Sequence, residues 1–264
     1  MPELSVTIIV KDCRDLLLNC LKSLYECLGD DIDFEVLVLD NASTDGTPEA
    51  VEKAYPGVKL FHNTENRGVA PARNQLLEKA AGRYILILDA DTEVVSKNFG
   101  DLISYMDSNE DVGLLGCTLV SEDNVIHSST RTYPRPIHVF LRRLNMAGIV
   151  RDSKILREHH LESWQRTGPR VVDFVEGAFQ LLRKEAVKKV GLLDENMFYG
   201  FEDADYCARM EKGGWKVVAY PGFVVRHLLQ GITRKNPFNK MAYLHTKSYV
   251  LFYRKHRALI RKKC

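Results

Sequence analysis

The chain has 264 residues, 45% of them apolar and 27% charged, and carries a formal charge of +2. That length supports a full core in one large α/β domain, with or without an appendage, and the composition excludes fibrous and disordered classes. The small net charge argues against a general nucleic-acid binder, so no nucleic-acid partner is expected.

Met1-Pro2-Glu3-Leu4 enters a strand-like segment without the basic and apolar regions of a signal peptide, and no later stretch is long enough to span a bilayer. The six cysteines (Cys13, Cys20, Cys27, Cys117, Cys207, Cys264) form no C-x-x-C pair, which suits reduced thiols. A cytoplasmic protein, soluble or peripheral, is the expectation.

The first half alternates strands with amphipathic helices, the pattern of a parallel sheet covered by helices. Leu4 to Val10 is strand-like, and Leu16, Leu17, Cys20, Leu21, Leu24 and Leu28 then recur at helical spacing. Phe34 to Leu39 is a second strand, followed by a polar loop in which Thr47 is placed to cap a helix and Pro48 to occupy its first turn. Val58 to Phe61 is a third strand, and a helix carrying Ala72, Leu76, Leu77 and Ala80 is expected to stop at Gly82. Tyr84 to Leu88 reads as a central strand, apolar on both faces.

A helix with Phe99, Leu102, Ile103 and Met106 and a strand from Val112 to Leu119 come next. Residues 120–170 lack a clean period and are rich in basic, proline and ring-bearing residues: His127, Arg131, Tyr133, Pro134, Arg135, Pro136, His138, Arg142 and Arg143. They read as a long functional insertion. Strands are expected at Val171 to Val175, Phe179 to Leu182 and Trp215 to Tyr220, with helices from Lys184 to Val190 and from near Asp203 to Gly213-Gly214. From Lys247 onward seven basic residues and no acid alternate with Tyr249, Phe252, Leu259 and other apolar residues. Such a tail either lies on an anionic leaflet or docks its apolar stripe on the domain.

Five segments carry chemistry. Asp89-Ala90-Asp91 ends the apolar strand at the sheet edge where open α/β sheets bind ligands, and packing gives no reason for two carboxylates there. A divalent cation, Mg²⁺ or Mn²⁺, would explain them, because hard ions take carboxylate oxygens alongside substrate phosphates. The loop Asp40-Asn41-Ala42-Ser43-Thr44-Asp45-Gly46-Thr47 can aim carboxylates and N–H groups at a nucleoside, or simply form a capping turn. In Asn66-Arg67-Gly68-Val69-Ala70-Pro71-Ala72-Arg73-Asn74, Arg73 can contact a base or phosphate, or be an ordinary solvent-facing helix charge.

Phe198-Tyr199-Gly200-Phe201-Glu202-Asp203-Ala204-Asp205 sets three acids beside three rings, more than a helix N-terminus needs. A carboxylate near rings should have a raised pKa, as a general base requires. His227 closes the apolar run Val224-Val225-Arg226-His227, where a lone histidine is structural unless a metal is implicated.

The ordered set V-L-D-N-A-S-T-D-G-T, N-x-G-x-A-x-A-R-N, L-D-A-D, G-A-F-x-L-x-R, F-E-D-x-D, G-W-x-V and V-x-H, over about residues 4 to 228, closely resembles the family-2 inverting glycosyltransferases of the GT-A fold, particularly bacterial rhamnosyltransferase-like members. The resemblance implies an α/β fold of GT-A type, a mostly parallel sheet covered by helices on both faces with a C-terminal helical appendage. It implies a GT-A domain over 1–228, with a nucleotide-binding half (1–91) and an acceptor-binding half (92–228) that holds the 120–170 insertion, before a basic amphipathic tail (229–264).

The resemblance further implies that Asp40, Asn41, Ser43, Arg73, Asp89, Ala90 and Asp91 bind a nucleotide-sugar donor such as dTDP-rhamnose or a UDP-sugar. Asp91 and His227 would hold the metal, Asp203 would be the catalytic base, and Glu202 would support it. The acceptor would be a glycan or lipid-linked glycan in surface polysaccharide synthesis, with the tail and insertion near an anionic membrane. One departure stands out: Lys11-Asp12-Cys13 replaces the family's usual T-Y-N, so no ring is present there to stack on a base.

Two rival readings remain at this point. An aspartyl-nucleophile phosphatase also ends an apolar strand in D-x-D, but there the strand is normally the first and Thr or Val stands where this chain has Glu93. A non-catalytic nucleotide-sugar-binding module would not need every carboxylate that is present.

Overall fold

A computed structural model describes residues 1–29, 32–126, 129–146, 149–150, 153–228 and 240–262. The first half comprises β1 (Leu4–Val10), α1 (Arg14–Leu28), β2 (Phe34–Asp40), α2 (Thr47–Ala54), β3 (Lys59–His62), α3 (Val69–Lys79), β4 (Tyr84–Asp89), β5 (Thr92–Val94) and α4 (Phe99–Ser108). It continues through β6 (Val112–Val120), β7 (Thr130–Arg131), α5 (Pro136–Met146), α6 (Lys154–His159), β8 (Arg170–Val171) and β9 (Phe174–Val175). Last come β10 (Phe179–Arg183), α7 (Lys184–Val190), α8 (Glu202–Lys212), β11 (Lys216–His227) and α9 (Lys240–Lys262).

The main sheet has the order β3-β2-β1-β4-β10-β6-β11-β5, with β8 also on β11. β1 to β4 are mutually parallel and β11 runs parallel to β6, whereas β10, β5 and β8 are antiparallel to their neighbours. Six strands therefore share one direction, and β4 lies between parallel β1 and antiparallel β10. Alternate side chains feed two cores. Tyr84, Leu86 and Leu88 pack with Leu17, Leu21, Phe99 and Leu102 of α1 and α4, while Ile85 and Ile87 face Tyr206, Met210 and Phe252 of α8 and α9. Helices thus cover both faces.

Several expectations change. Thr47 does not cap α2: Gly46, at φ +78°, holds the cap position, and Thr47 sits inside the first turn with its hydroxyl on Asp45 Oδ1 at 2.5 Å. Asp45 also accepts the Thr47 N–H, so the capping carboxylate comes from two residues earlier. α3 ends at Lys79 rather than at Gly82. Gly82 serves close approach instead, since a Cβ there would meet the Ser5 nitrogen at 2.6 Å.

The insertion is not a bare loop: it contains β7, α5 and α6, with His138 and His159 buried and stacked 4.1 Å apart. The single strand expected at Val171 to Val175 is two short pieces that pair with different partners, β8 with β11 and β9 with β7. The last strand runs on to His227, seven residues beyond the expected end, through a register shift between Tyr220 and Val224 that absorbs Pro221, Gly222 and Phe223. His127, residues 229–239, Lys263 and Cys264 lie outside the described residues. Of the tail, α9 buries Tyr249, Phe252, His256 and Ile260 against the domain. Among the described residues no helix is long and apolar enough to cross a membrane.

Candidate active site

The carboxyl edge of the sheet gathers most of the expected residues. Asp89 ends β4, the chain turns at Ala90-Asp91, and β5 then pairs antiparallel with the end of β11, with His227 opposite Thr92. The Leu228 N–H donates to the Asp91 carbonyl at 2.8 Å. This pairing brings His227 Nε2 to 3.3 Å from Asp91 Oδ1, although the two are far apart in sequence. Asp89, Asp91 and His227, all half-buried, each offer a ligand atom within 4.8 Å of the others. Two carboxylate oxygens and an imidazole at that spacing fit a divalent cation of the Mg²⁺ or Mn²⁺ class. Burial disfavours the charged imidazole, but the hydrogen bond to Asp91 and the charges of Asp89 and Asp91 outweigh it and raise the His227 pKa.

Arg73 is not a solvent-facing helix charge. It is buried, and its guanidinium donates to Asp89 Oδ1 at 2.6 Å, to the Gly177 carbonyl at 3.0 Å and to Glu202 Oε1 at 3.4 Å. The planar fork therefore ties the end of β4 to the start of α8. A Cβ on Gly177 would meet Arg73 Nη1 at 2.7 Å, so the backbone must be bare there. Burial raises both Asp89 and Glu202 above the ordinary carboxylate range, with Arg73 opposing the shift in each.

The three acids of Phe201-Glu202-Asp203-Ala204-Asp205 diverge. Phe201, left-handed at φ +68°, starts α8, and each carboxylate then leaves on a different side. Glu202 turns to Arg73. Asp203 accepts from the Ala204 N–H at 2.8 Å and the Gly177 N–H at 3.1 Å. Asp205 points away to the tail, bonded to His256 Nε2 at 2.8 Å, Lys255 Nζ at 2.6 Å and Arg209 Nε at 2.8 Å. Burial, then the charges of Glu202 and Glu176, push the Asp203 carboxyl up to about 7, overriding its two N–H donors. Burial alone would raise Asp205 too, but its bonds to His256, Lys255 and Arg209 hold it well below the usual range.

Asp40 and Val10 are register partners, and Ile9 pairs with Asp89, so Asp40 stands about 10 Å from Asp89 across β1 on the same edge. Its two oxygens accept from the Ser43 N–H at 3.2 Å each. The Ser43 hydroxyl accepts from the Asp12 N–H at 2.9 Å. Asp12, left-handed at φ +51°, accepts in turn from the Thr44 N–H at 2.8 Å. Asn41 spends its amide inside the protein: it donates to Asn66 at 3.0 Å and to the Gly68 carbonyl at 3.4 Å, and accepts from Asn63 at 3.0 Å and the Arg67 N–H at 3.1 Å. Asn41 thus binds the 63–68 loop to the end of β2. Lys11 reaches the Ala42 carbonyl at 3.0 Å, so Lys11-Asp12-Cys13 closes over this loop by polar contacts.

Sequence reasoning did not place Gly177, Glu176 or Arg131 beside the candidate base. Gly177 holds Asp203 through its N–H and Arg73 through its carbonyl, and its only signal was the leading residue of G-A-F. Glu176 faces Asp203 and is ion-paired with Arg131, which β7 brings alongside β9.

A family model described as Glycosyl transferase family 2 matches residues 5–191. The chain is a family-2 glycosyltransferase. Among curated relatives of this glycosyltransferase, an N-acetylglucosaminyl-diphospho-decaprenol L-rhamnosyltransferase of Mycobacterium tuberculosis is 29% identical over 234 residues, covering 84% of this chain and 75% of the relative. The mannosyltransferase PcManGT from Pyrobaculum calidifontis, solved with GDP-Man and Mn²⁺, superposes with a TM-score of 0.64 at 21% identity, over 97% of this chain and 64% of that one. GalNAc-T7, solved with UDP, GalNAc and Mn²⁺, gives 0.64 at 18% identity, over 87% of this chain and 44% of that one. The glycosyltransferase therefore has the GT-A fold and spans under two thirds of those two structures.

Proposed function

We propose that this glycosyltransferase moves a sugar from a nucleoside-diphosphate donor to a glycan or lipid-linked glycan acceptor, with inversion, in cell-surface polysaccharide synthesis. The supporting observation is one buried network: Arg73 joins Asp89, at the candidate cation site, to Glu202 beside Asp203. The L-rhamnosyltransferase activity of the mycobacterial relative favours an L-rhamnosyl donor such as dTDP-rhamnose, with a UDP-sugar as the alternative. Asp40 and Ser43 meet the nucleoside in this reading, and Asn41 shapes their loop. With no ring at 11–13, the base rests against the polar Lys11 and Asp12 rather than on an aromatic face.

Asp89, Asp91 and His227 would hold the divalent cation, Mg²⁺ or Mn²⁺, and Mn²⁺ accompanied the nucleotide in both solved neighbours. Bound there, the cation supplies neutralisation of the charge gathering on the departing diphosphate. Asp203 does the proton work. Its carboxylate, aimed by the Gly177 and Ala204 N–H groups, takes the proton of the acceptor hydroxyl as that oxygen bonds to the anomeric carbon. The bond from that carbon to the diphosphate oxygen breaks on the opposite face, so the configuration inverts. A carboxyl near 7 suits a base working at neutral pH. Arg73 holds Asp89 and Glu202 in register with each other. In this reading the reaction belongs to the cytoplasmic side.

A panel of nucleotide-sugars with a soluble glycan acceptor tests the reading, the product anomer being read by NMR. Transfer with inverted configuration is expected. Retained configuration, or phosphate release from simple monoesters without sugar transfer, would contradict it.

A further inference from the structure

Twelve large apolar side chains are exposed among the described residues, and six of them (Val125, Ile126, Ile137, Phe140, Ile149 and Ile155) fall between positions 125 and 155. α5 accounts for the densest part. Ile137, Phe140, Leu141 and Leu144 recur at the spacing of one helical stripe, with Ile137 41% and Phe140 58% exposed and the two leucines half-buried. This is not the face that packs on α6. That face carries His138, buried and stacked on His159, and the apolar stripe is centred about 110° around the helix from it.

Charge identifies the occupant. Positions 130–159, to the end of α6, hold seven basic residues against the acids Asp152 and Glu158; Arg142, Lys154 and Arg157 are exposed, and Lys154 lies 3.9 Å from Glu158. A two-fold contact through this face would set those cations against their own copies, whereas an anionic bilayer accepts both the stripe and the cations. We propose that α5 and α6 form a membrane-contact hairpin, with the stripe in the boundary between headgroups and acyl chains and the cations on anionic headgroups. The hairpin follows directly from β7, whose Arg131 pairs with Glu176, next to the Gly177 that holds Asp203. A lipid-linked acceptor would then meet the base from the bilayer side. This last step rests on the acceptor reading above; the membrane contact does not. α9, by contrast, turns Phe252, His256 and Ile260 into the core, so its deletion would unfold more than a surface.

Co-sedimentation of the full chain with phosphatidylglycerol-rich vesicles and with phosphatidylcholine vesicles tests the contact. Wild type should sediment with the former, less with the latter, and less at high salt. The Ile137→Glu/Phe140→Glu pair should weaken binding by about tenfold or more while melting temperature and transfer to a water-soluble acceptor stay unchanged. Ile137→Ser/Phe140→Ser serves if the glutamates unfold the chain, and Val250→Glu on the exposed side of α9 should bind like wild type. The hairpin is ruled out if wild type stays in the supernatant with anionic vesicles, if the double variant sediments unchanged, or if wild type is a dimer that the double variant splits. Vesicle binding by a protein that transfers to no acceptor would uphold the contact and reject the acceptor reading instead.

Discussion

The Gly177 N–H donates to Asp203 Oδ2 at 3.1 Å, while the carbonyl of the same glycine receives Arg73. One peptide segment therefore sets both the base and the cation that organises its neighbours.

Asp203→Asn should lower turnover by about 10²–10⁴-fold with donor binding retained, and wild-type activity should rise with pH to a plateau above about 7. The stability effect has the opposite sign. With a carboxyl raised from 3.8 to about 7, the folded chain holds a proton that the unfolded chain has released, so folding is penalised progressively across that window. The variant should melt higher than wild type at pH 8, by about 2–4 °C for each kcal/mol relieved, and equally at pH 3.5. Paired melts at the two pH values check both statements.

Arg73→Lys should inactivate despite keeping the charge. A single ammonium cannot reach Asp89, Glu202 and the Gly177 carbonyl together, and the carboxylate left unpaired is buried. A cost of about 3–5 kcal/mol in urea unfolding is expected. Gly177→Ala, which crowds Arg73 Nη1, should reduce turnover with a smaller loss of stability. Unfolding curves and steady-state rates of the two variants separate the effects.

His256→Ala removes one of three cationic or imidazole partners from fully buried Asp205. A loss of about 2–4 kcal/mol is expected at neutral pH. Because the Asp205 pKa is lowered in the fold, its stabilisation is present above the unfolded value and fades only as pH falls through the lower folded value. The gap between wild type and variant should therefore persist at pH 5, which urea titrations at pH 5 and 7 will show.

Much of this site was legible because sheet edges converge. Asp40 and Asp89 follow apolar runs, and an apolar run that stops at charges marks a strand end at the ligand-binding edge. The role of Arg73 was not legible, since two of its three partners, Gly177 and Glu202, stand 104 and 129 residues further on and no local pattern encodes them. Asp205 looked like a third site carboxylate until α9, 51 residues away, claimed it. β5 is three residues long and has no period to detect, yet it carries the pairing that brings His227 to Asp91. Thr47 looked like a cap because threonine favours that position, but the left-handed Gly46 moved the boundary by one residue.

In the proposed reaction Asp89, Asp91 and His227 jointly hold a cation together with a donor diphosphate. Calorimetric titration of a nucleoside diphosphate into wild type, with Mn²⁺ and with EDTA, tests it most directly, alongside Asp91→Ala and His227→Ala. Binding should require Mn²⁺ and fall by about tenfold or more in each variant. Equal affinity in EDTA, or unchanged Mn²⁺-dependent binding in both variants, would contradict it.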